Sequence, residues 1–161
     1  MDTLLISRAV AELGECLRVN GNFMATAESC TGGFLASTLT DLPGSSEWFK
    51  GSVVAYSNEV KQGLLGVPAD VLEANGAVSE PVVLAMAQGV LKAVGADVSV
   101  AISGVAGPGG GTPGKPVGTV WMAWAWPGGT RARRYDFSGD RAAVKAQSVM
   151  SAINGLLSVV R

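Results

Sequence analysis

The chain has 161 residues, 48% of them hydrophobic and 16% charged, with a formal net charge of −1. That length can bury a full core in one domain, and the composition excludes a disordered chain. The absence of histidine rules out a Ser-His-Asp triad. Two lone cysteines (Cys16 and Cys30) give no zinc ligand set, and the near-neutral charge gives no footprint for nucleic acid.

Leu4, Leu5, Ala9, Leu13, Cys16 and Leu17 fall at helical spacing and predict a first amphipathic helix, ended by Asn20-Gly21-Asn22. This segment also carries Asp2, Arg8 and Glu12 and no long apolar run, so it is not expected to be a targeting segment. Few cysteines point to a reducing, cytoplasmic setting. Phe23 to Ala27 is a short strand candidate, and Thr31 to Leu39 reads as a helix opening on Gly32-Gly33. Leu42 to Ser46 is a loop, and Val53 to Tyr56 is a second strand that runs out into Ser57-Asn58. Two short helices follow, Glu59 to Leu65 and Ala69 to Ala74.

Ser79-Glu80-Pro81 is a helix start, and that helix runs to Val94 and stops at Gly95. Val98 to Ile102 is strongly apolar, with Ser99 its one polar residue, and predicts a central strand buried on both faces. Ser103 to Pro116 is a glycine-proline loop of a length that usually carries function. Val117 to Trp126 and Arg131 to Phe137 flank Pro127-Gly128-Gly129 as a hairpin. Arg131, Arg133 and Arg134 read as a solvated strand face. Trp48 and Trp124 are candidates for exposed residues at an interface. Asp140 can cap a last helix with an apolar stripe through Ala146, Met150, Ile153, Leu157 and Val160. The longest uncharged stretch, Val98 to Gly114, is broken by glycines and a proline, so no membrane span is expected there. Helices alternating with strands, then a hairpin, predict one α/β domain over residues 1–161. Its form is a three-layer α/β/α sandwich with a mixed, mostly parallel sheet and a late antiparallel hairpin.

If the early strands are parallel, three segments meet at one sheet edge, where open α/β folds bind ligands. They are the turn Glu28 to Gly33, the segment Tyr56 to Lys61, and the loop from Ser103 through Gly111. Ser29 reads either as a nucleophile at a helix entrance or as a helix cap. Cys30 is the rival nucleophile or simply a small buried residue. Lys61 is a surface lysine or, if held neutral, the base for Ser29. Tyr56 can relay that proton or orient the amine, or it fills the core. Asn58 bonds a substrate or serves a turn. The glycine loop matches no nucleotide motif, yet its N–H groups suit phosphate.

Four motifs, taken together and in this order, closely resemble the CinA C-terminal domain family: Ala27 to Gly33; Val54 to Asn58 with Lys61; Gly76 to Glu80; and Gly104 to Gly111 with Lys115 to Val120. Stand-alone members of that family are nicotinamide mononucleotide deamidases. The resemblance implies a three-layer sandwich, often dimeric, with a small-molecule nucleotide as substrate and neither metal nor cofactor. It implies a serine amidohydrolase with a lysine partner, mapping onto Ser29 and Lys61 with Tyr56 nearby. Substrate contacts are expected from Glu28, Cys30, Thr31, Gly32, Gly33, Asn58, Ser103, Gly104, Gly107, Gly109, Gly110 and Arg141. Three residues depart from the family pattern: Ser103 for threonine, Gly114 for an acidic residue, and Lys145 for an arginine. The last weakens a second phosphate contact from the final helix. The alternatives are a non-catalytic nucleotide-binding or competence-related partner domain, and a cysteine amidase using Cys30.

Overall fold

Side-chain size along the strands decides the layers. In β3 (Val98–Gly104), Val98, Val100 and Ile102 join one core cluster, and Ala101 joins the other. β1 (Met24–Glu28) sends Met24 to the first cluster and Ala25 and Ala27 to the second. β4 (Thr119–Trp126) divides likewise, with Val120, Met122 and Trp124 opposite Ala123 and Ala125. One face of the sheet is therefore built of large side chains and the other mostly of alanine, with Val53 and Trp121 the larger residues packed on it, as the two-residue period of a strand dictates.

The computed structural model describes residues 1–161. The large-residue face is covered by α1 (Thr3–Asn20), α2 (Phe34–Thr40) and α6 (Arg141–Val160). The alanine face receives α3 (Asn58–Leu65), α4 (Ala69–Asn75) and α5 (Glu80–Val94). Small residues let α5 lie close enough for the Ser99 hydroxyl to donate to the Ala87 carbonyl at 2.7 Å. With β2 (Phe49–Val54) and β5 (Gly129–Asp136), the strand order is β2-β1-β3-β4-β5. β1 pairs in parallel with β2 and β3, while β3–β4 and β4–β5 are antiparallel. The expected three-layer fold with its late hairpin is present.

Three local readings change. α2 starts at Phe34 rather than Thr31, because Gly32 and Gly33 hold φ of +60° and +98°, which no right-handed helix admits. β2 begins at Phe49, four residues early: Lys50 and Gly51 give no strand signal, and pairing with β1 recruits them. Trp48 and Trp124 are buried, not exposed. The Trp124 indole donates to Ala152 O at 3.1 Å and rests on Gly155, where an added Cβ would come within 2.1 Å of its ring. The three arginines do lie on the exposed edge strand β5.

Gly89 sets the distance between α5 and α3. A Cβ there would stand 1.9 Å from the Leu65 carbonyl oxygen, and backbone cannot swing aside. Gly89→Ala is expected to destabilise the fold by about 1–3 kcal/mol, seen as a lower Tm. It should also lower turnover, because α3 carries Lys61.

Candidate active site

The parallel arrangement of β2, β1 and β3 brings their carboxyl ends to one edge, with the segments that follow them. Ser29 leaves β1 still attached to β3 through its N–H to Ile102 O at 2.9 Å. The chain then turns: Gly32 N donates to Ser29 O at 3.1 Å, and Phe34 N to Thr31 O at 3.0 Å. Because α2 is capped by Gly33, Ser29 is not a helix cap and its hydroxyl is free for other work. The N–H groups of Cys30, Thr31 and Gly33 have no acceptor in the protein.

Lys61 reaches this turn from α3, whose first turn is capped by the Ser57 hydroxyl at 3.2 Å from Val60 N. Its Nζ lies 3.0 Å from Ser29 Oγ, 2.9 Å from Ala55 O and 3.1 Å from Tyr56 O. Only 1% of the residue is exposed. No carboxylate forms an ion pair with it. Burial therefore pulls its pKa below the ordinary 10.5, opposed in part by the nearby Cys30 thiol. In the neutral form the two amine protons go to the two carbonyls. The lone pair is left facing the Ser29 hydroxyl, the geometry general base catalysis requires.

Tyr56 takes a different part from the expected relay. Lys61 meets its main-chain carbonyl, whereas its hydroxyl accepts from Arg141 Nη2 at 3.2 Å. At 3.0 Å the serine and the amine need no intermediary. Glu28 is also corrected: it is fully buried and turned into the fold. Its Oε1 accepts from Thr31 Oγ1 at 2.7 Å and Leu35 N at 2.9 Å, and its Oε2 from Ala36 N at 2.9 Å and Thr26 Oγ1 at 3.1 Å. The carboxylate pins the turn that presents Ser29 and meets the positive end of α2. Thr31 is spent on the same network rather than on a ligand.

Ser103 neighbours Ser29, since Glu28 pairs with Ile102 one residue earlier in each strand. It is almost wholly buried, and its hydroxyl has no partner in the protein. Because no fully buried side-chain oxygen or nitrogen lacks a partner, that hydroxyl keeps a small opening to solvent. Gly104 is an interior contact, its hydrogens facing the Thr119 carbonyl and Val120 where a Cβ would come within 2.7 Å of Val120. Gly107 has φ +84° and packs on Val117, and its carbonyl accepts from Arg141 Nη1 at 2.7 Å. Gly109 and Gly110 are exposed in the loop, and Asn58, the first residue of α3, is exposed too.

Beyond the loop lies an open pocket of about 760 Å³ lined by Ala106, Pro108, Val117, Gly139, Arg141 and Lys145, among others. Asp140 also borders it, but its carboxylate caps α6 through Ala143 N at 2.9 Å. With Arg141 and Lys145 against this one carboxylate, the pocket lining carries a net positive charge. Lys145, read from the sequence as a loss, stands in its wall beside Arg141. The carbonyls of Ala55 and Tyr56 that hold the amine are invisible to sequence reasoning, because main-chain acceptors have no residue signature.

Cys30 is 6% exposed, and burial pushes its thiol pKa up to about 11. A thiol in that state is a poor nucleophile. Cys30→Ala is expected to keep turnover within about threefold of the parent. Mild alkylation should label Cys16, which is partly exposed, and spare Cys30. Loss of activity tracking Cys30 labelling would restore the cysteine reading.

Fold and site together define an α/β sandwich protein with a hydroxyl and a desolvated amine paired at the carboxyl edge of its sheet. The chain belongs to the CinA C-terminal domain family, whose model matches residues 7–160. It is 51% identical over 146 residues to a protein of Escherichia coli (strain K12) named nicotinamide-nucleotide amidohydrolase PncC, covering 90% of this chain and 88% of that one. It is 54% identical over 138 residues to a CinA-like protein of Akkermansia muciniphila, covering 85% of this chain but only 33% of that longer protein. Among solved structures, the competence/damage inducible protein CihA of Agrobacterium tumefaciens matches with a TM-score of 0.94 at 34% identity, covering 97% of this chain and 96% of that one.

Proposed function

We propose that the protein is a serine–lysine amidohydrolase that converts nicotinamide mononucleotide to nicotinate mononucleotide and ammonia. The observation that carries this reading is the 3.0 Å contact between Ser29 Oγ and a buried Lys61 amine with no counter-ion. The names of its full-length relatives supply the substrate class.

Neutral Lys61 takes the proton of Ser29 as Oγ attacks the carboxamide carbon. The N–H groups of Cys30, Thr31 or Gly33, which lack acceptors in the protein, and the Ser103 hydroxyl would stabilise the oxygen that becomes negative. Collapse breaks the C–N bond, and Lys61 returns its proton to the departing nitrogen, so ammonia leaves. Water then attacks the nicotinoyl ester of Ser29 with Lys61 again as base, releasing the acid and restoring the hydroxyl. The positive pyridinium makes its carboxamide a better electrophile than that of free nicotinamide. Arg141, Lys145 and the free N–H groups of Gly109 to Gly111 are suited to the phosphate. Cytoplasmic location and a homodimeric state belong to the same reading. The test is ammonia release from nicotinamide mononucleotide, nicotinamide and the dinucleotide, with the mononucleotide expected to be the best substrate. Tight nucleotide binding without ammonia would favour a non-catalytic binding domain instead.

A further inference from the structure

Tyr56 is the most exposed aromatic residue in the chain, 63% open to solvent, although Ala55 before it is fully buried. Its two polar groups are tied to opposite sides of the site. The main-chain carbonyl accepts from Lys61 Nζ at 3.1 Å, and the phenol oxygen accepts from Arg141 Nη2 at 3.2 Å. Arg141 is itself held by Gly107 O at 2.7 Å and lines the cationic pocket. The residue thus spans the interval between the reacting amine and the anion-binding wall.

Two ordinary roles for a tyrosine fail here. A proton relay needs the hydroxyl on Lys61 or Ser29, and it bonds to neither. A packing role needs a buried ring. What remains is a large aromatic face, fixed at its outer end and exposed beside the path from Ser29 to Arg141. On the proposed function, the part of the substrate that occupies this path is a pyridinium ring with a formal positive charge, between the carboxamide and the phosphate. Aromatic faces attract such cations. A cation there also suits its neighbours, since it opposes protonation of Lys61.

We infer that the Tyr56 ring is the specificity surface for the charged pyridinium, selecting N-alkylated pyridinium carboxamides over their uncharged dihydro forms. This rests on the proposed substrate class. The test uses the Ser29→Ala protein, which binds without turning over, and calorimetry with oxidised and reduced nicotinamide mononucleotide. These ligands share shape and phosphate and differ in ring charge. With Tyr56 present, the oxidised form is expected to bind about 3- to 30-fold more tightly. Tyr56→Phe keeps the ring and should keep the preference. Tyr56→Leu should bring the two affinities to within about twofold of each other, chiefly by weakening the oxidised form. Preference retained in Tyr56→Leu, or lost in Tyr56→Phe, overturns the inference. The second result would assign the effect to the Arg141 hydrogen bond instead. If the parent enzyme releases ammonia yet Tyr56→Leu keeps its preference, only this inference fails. If neither nucleotide binds and no ammonia forms, the proposed function fails with it.

Discussion

Ser29→Ala is expected to lower ammonia release on the order of 10⁴-fold or more, because it removes the atom that attacks. Lys61→Ala should cost at least about 10²–10⁴-fold, the usual worth of a positioned base. Lys61→Arg is the sharper variant. It retains length and donors, but a guanidinium does not give up its proton, so it should be as inactive as alanine. The two losses should not add: Ser29→Ala with Lys61→Ala should be about as slow as Ser29→Ala alone, since both act in one step. Steady-state ammonia assays and thermal melts of the four proteins separate these results from misfolding. Near-normal turnover by Ser29→Ala would remove the serine from the mechanism.

The pH dependence should carry the signature of a desolvated lysine. Only neutral Lys61 can accept the serine proton, so kcat/KM should rise about tenfold per pH unit on the acid side and level off at the Lys61 pKa. Burial holds that pKa below 10.5, so the plateau should begin below the ordinary lysine range. The same shift has a stability sign. Between the folded pKa and the unfolded value, the unfolded chain binds the proton and the folded chain does not. Stability due to this group therefore rises with pH across that window, and burial of the amine is a net cost below it. Denaturant melts of the parent and Lys61→Met should show the parent gaining on the variant as pH rises from the lowered folded pKa toward 10.5. A flat difference would mean that Lys61 keeps its proton in the fold, and the base would have to be sought elsewhere.

The layers are readable because periodicity and size coincide: the strongly apolar segment Val98 to Ile102 reads as a central strand, and it is one. The start of α2 was misread because Gly32-Gly33 look like a permissive opening to a helix, whereas their positive φ values end the turn before it. Ser29 and Lys61 were both identified, but their contact spans 32 residues and depends on parallel pairing of β1 with β2, which periodicity does not specify. Glu28 is expected at the substrate only through the family resemblance, because its place in the Ala27 to Gly33 motif does not show which way the side chain turns. Its actual partners are mostly donors three to eight residues downstream, visible only once the turn is folded. Tyr56 was placed near the right atoms with the wrong group forward: sequence spacing cannot say whether a residue offers its side chain or its carbonyl.

On the proposed mechanism, Ser29 becomes acylated during turnover. Acid quench of the enzyme within the first turnovers on nicotinamide mononucleotide, followed by mass spectrometry of the peptides, tests it most directly. A nicotinoyl-nucleotide ester is expected on the peptide containing Ser29, absent from Ser29→Ala and still present in Cys30→Ala. An adduct on Cys30, or rapid ammonia release by the Ser29→Ala protein with no adduct at all, would contradict it.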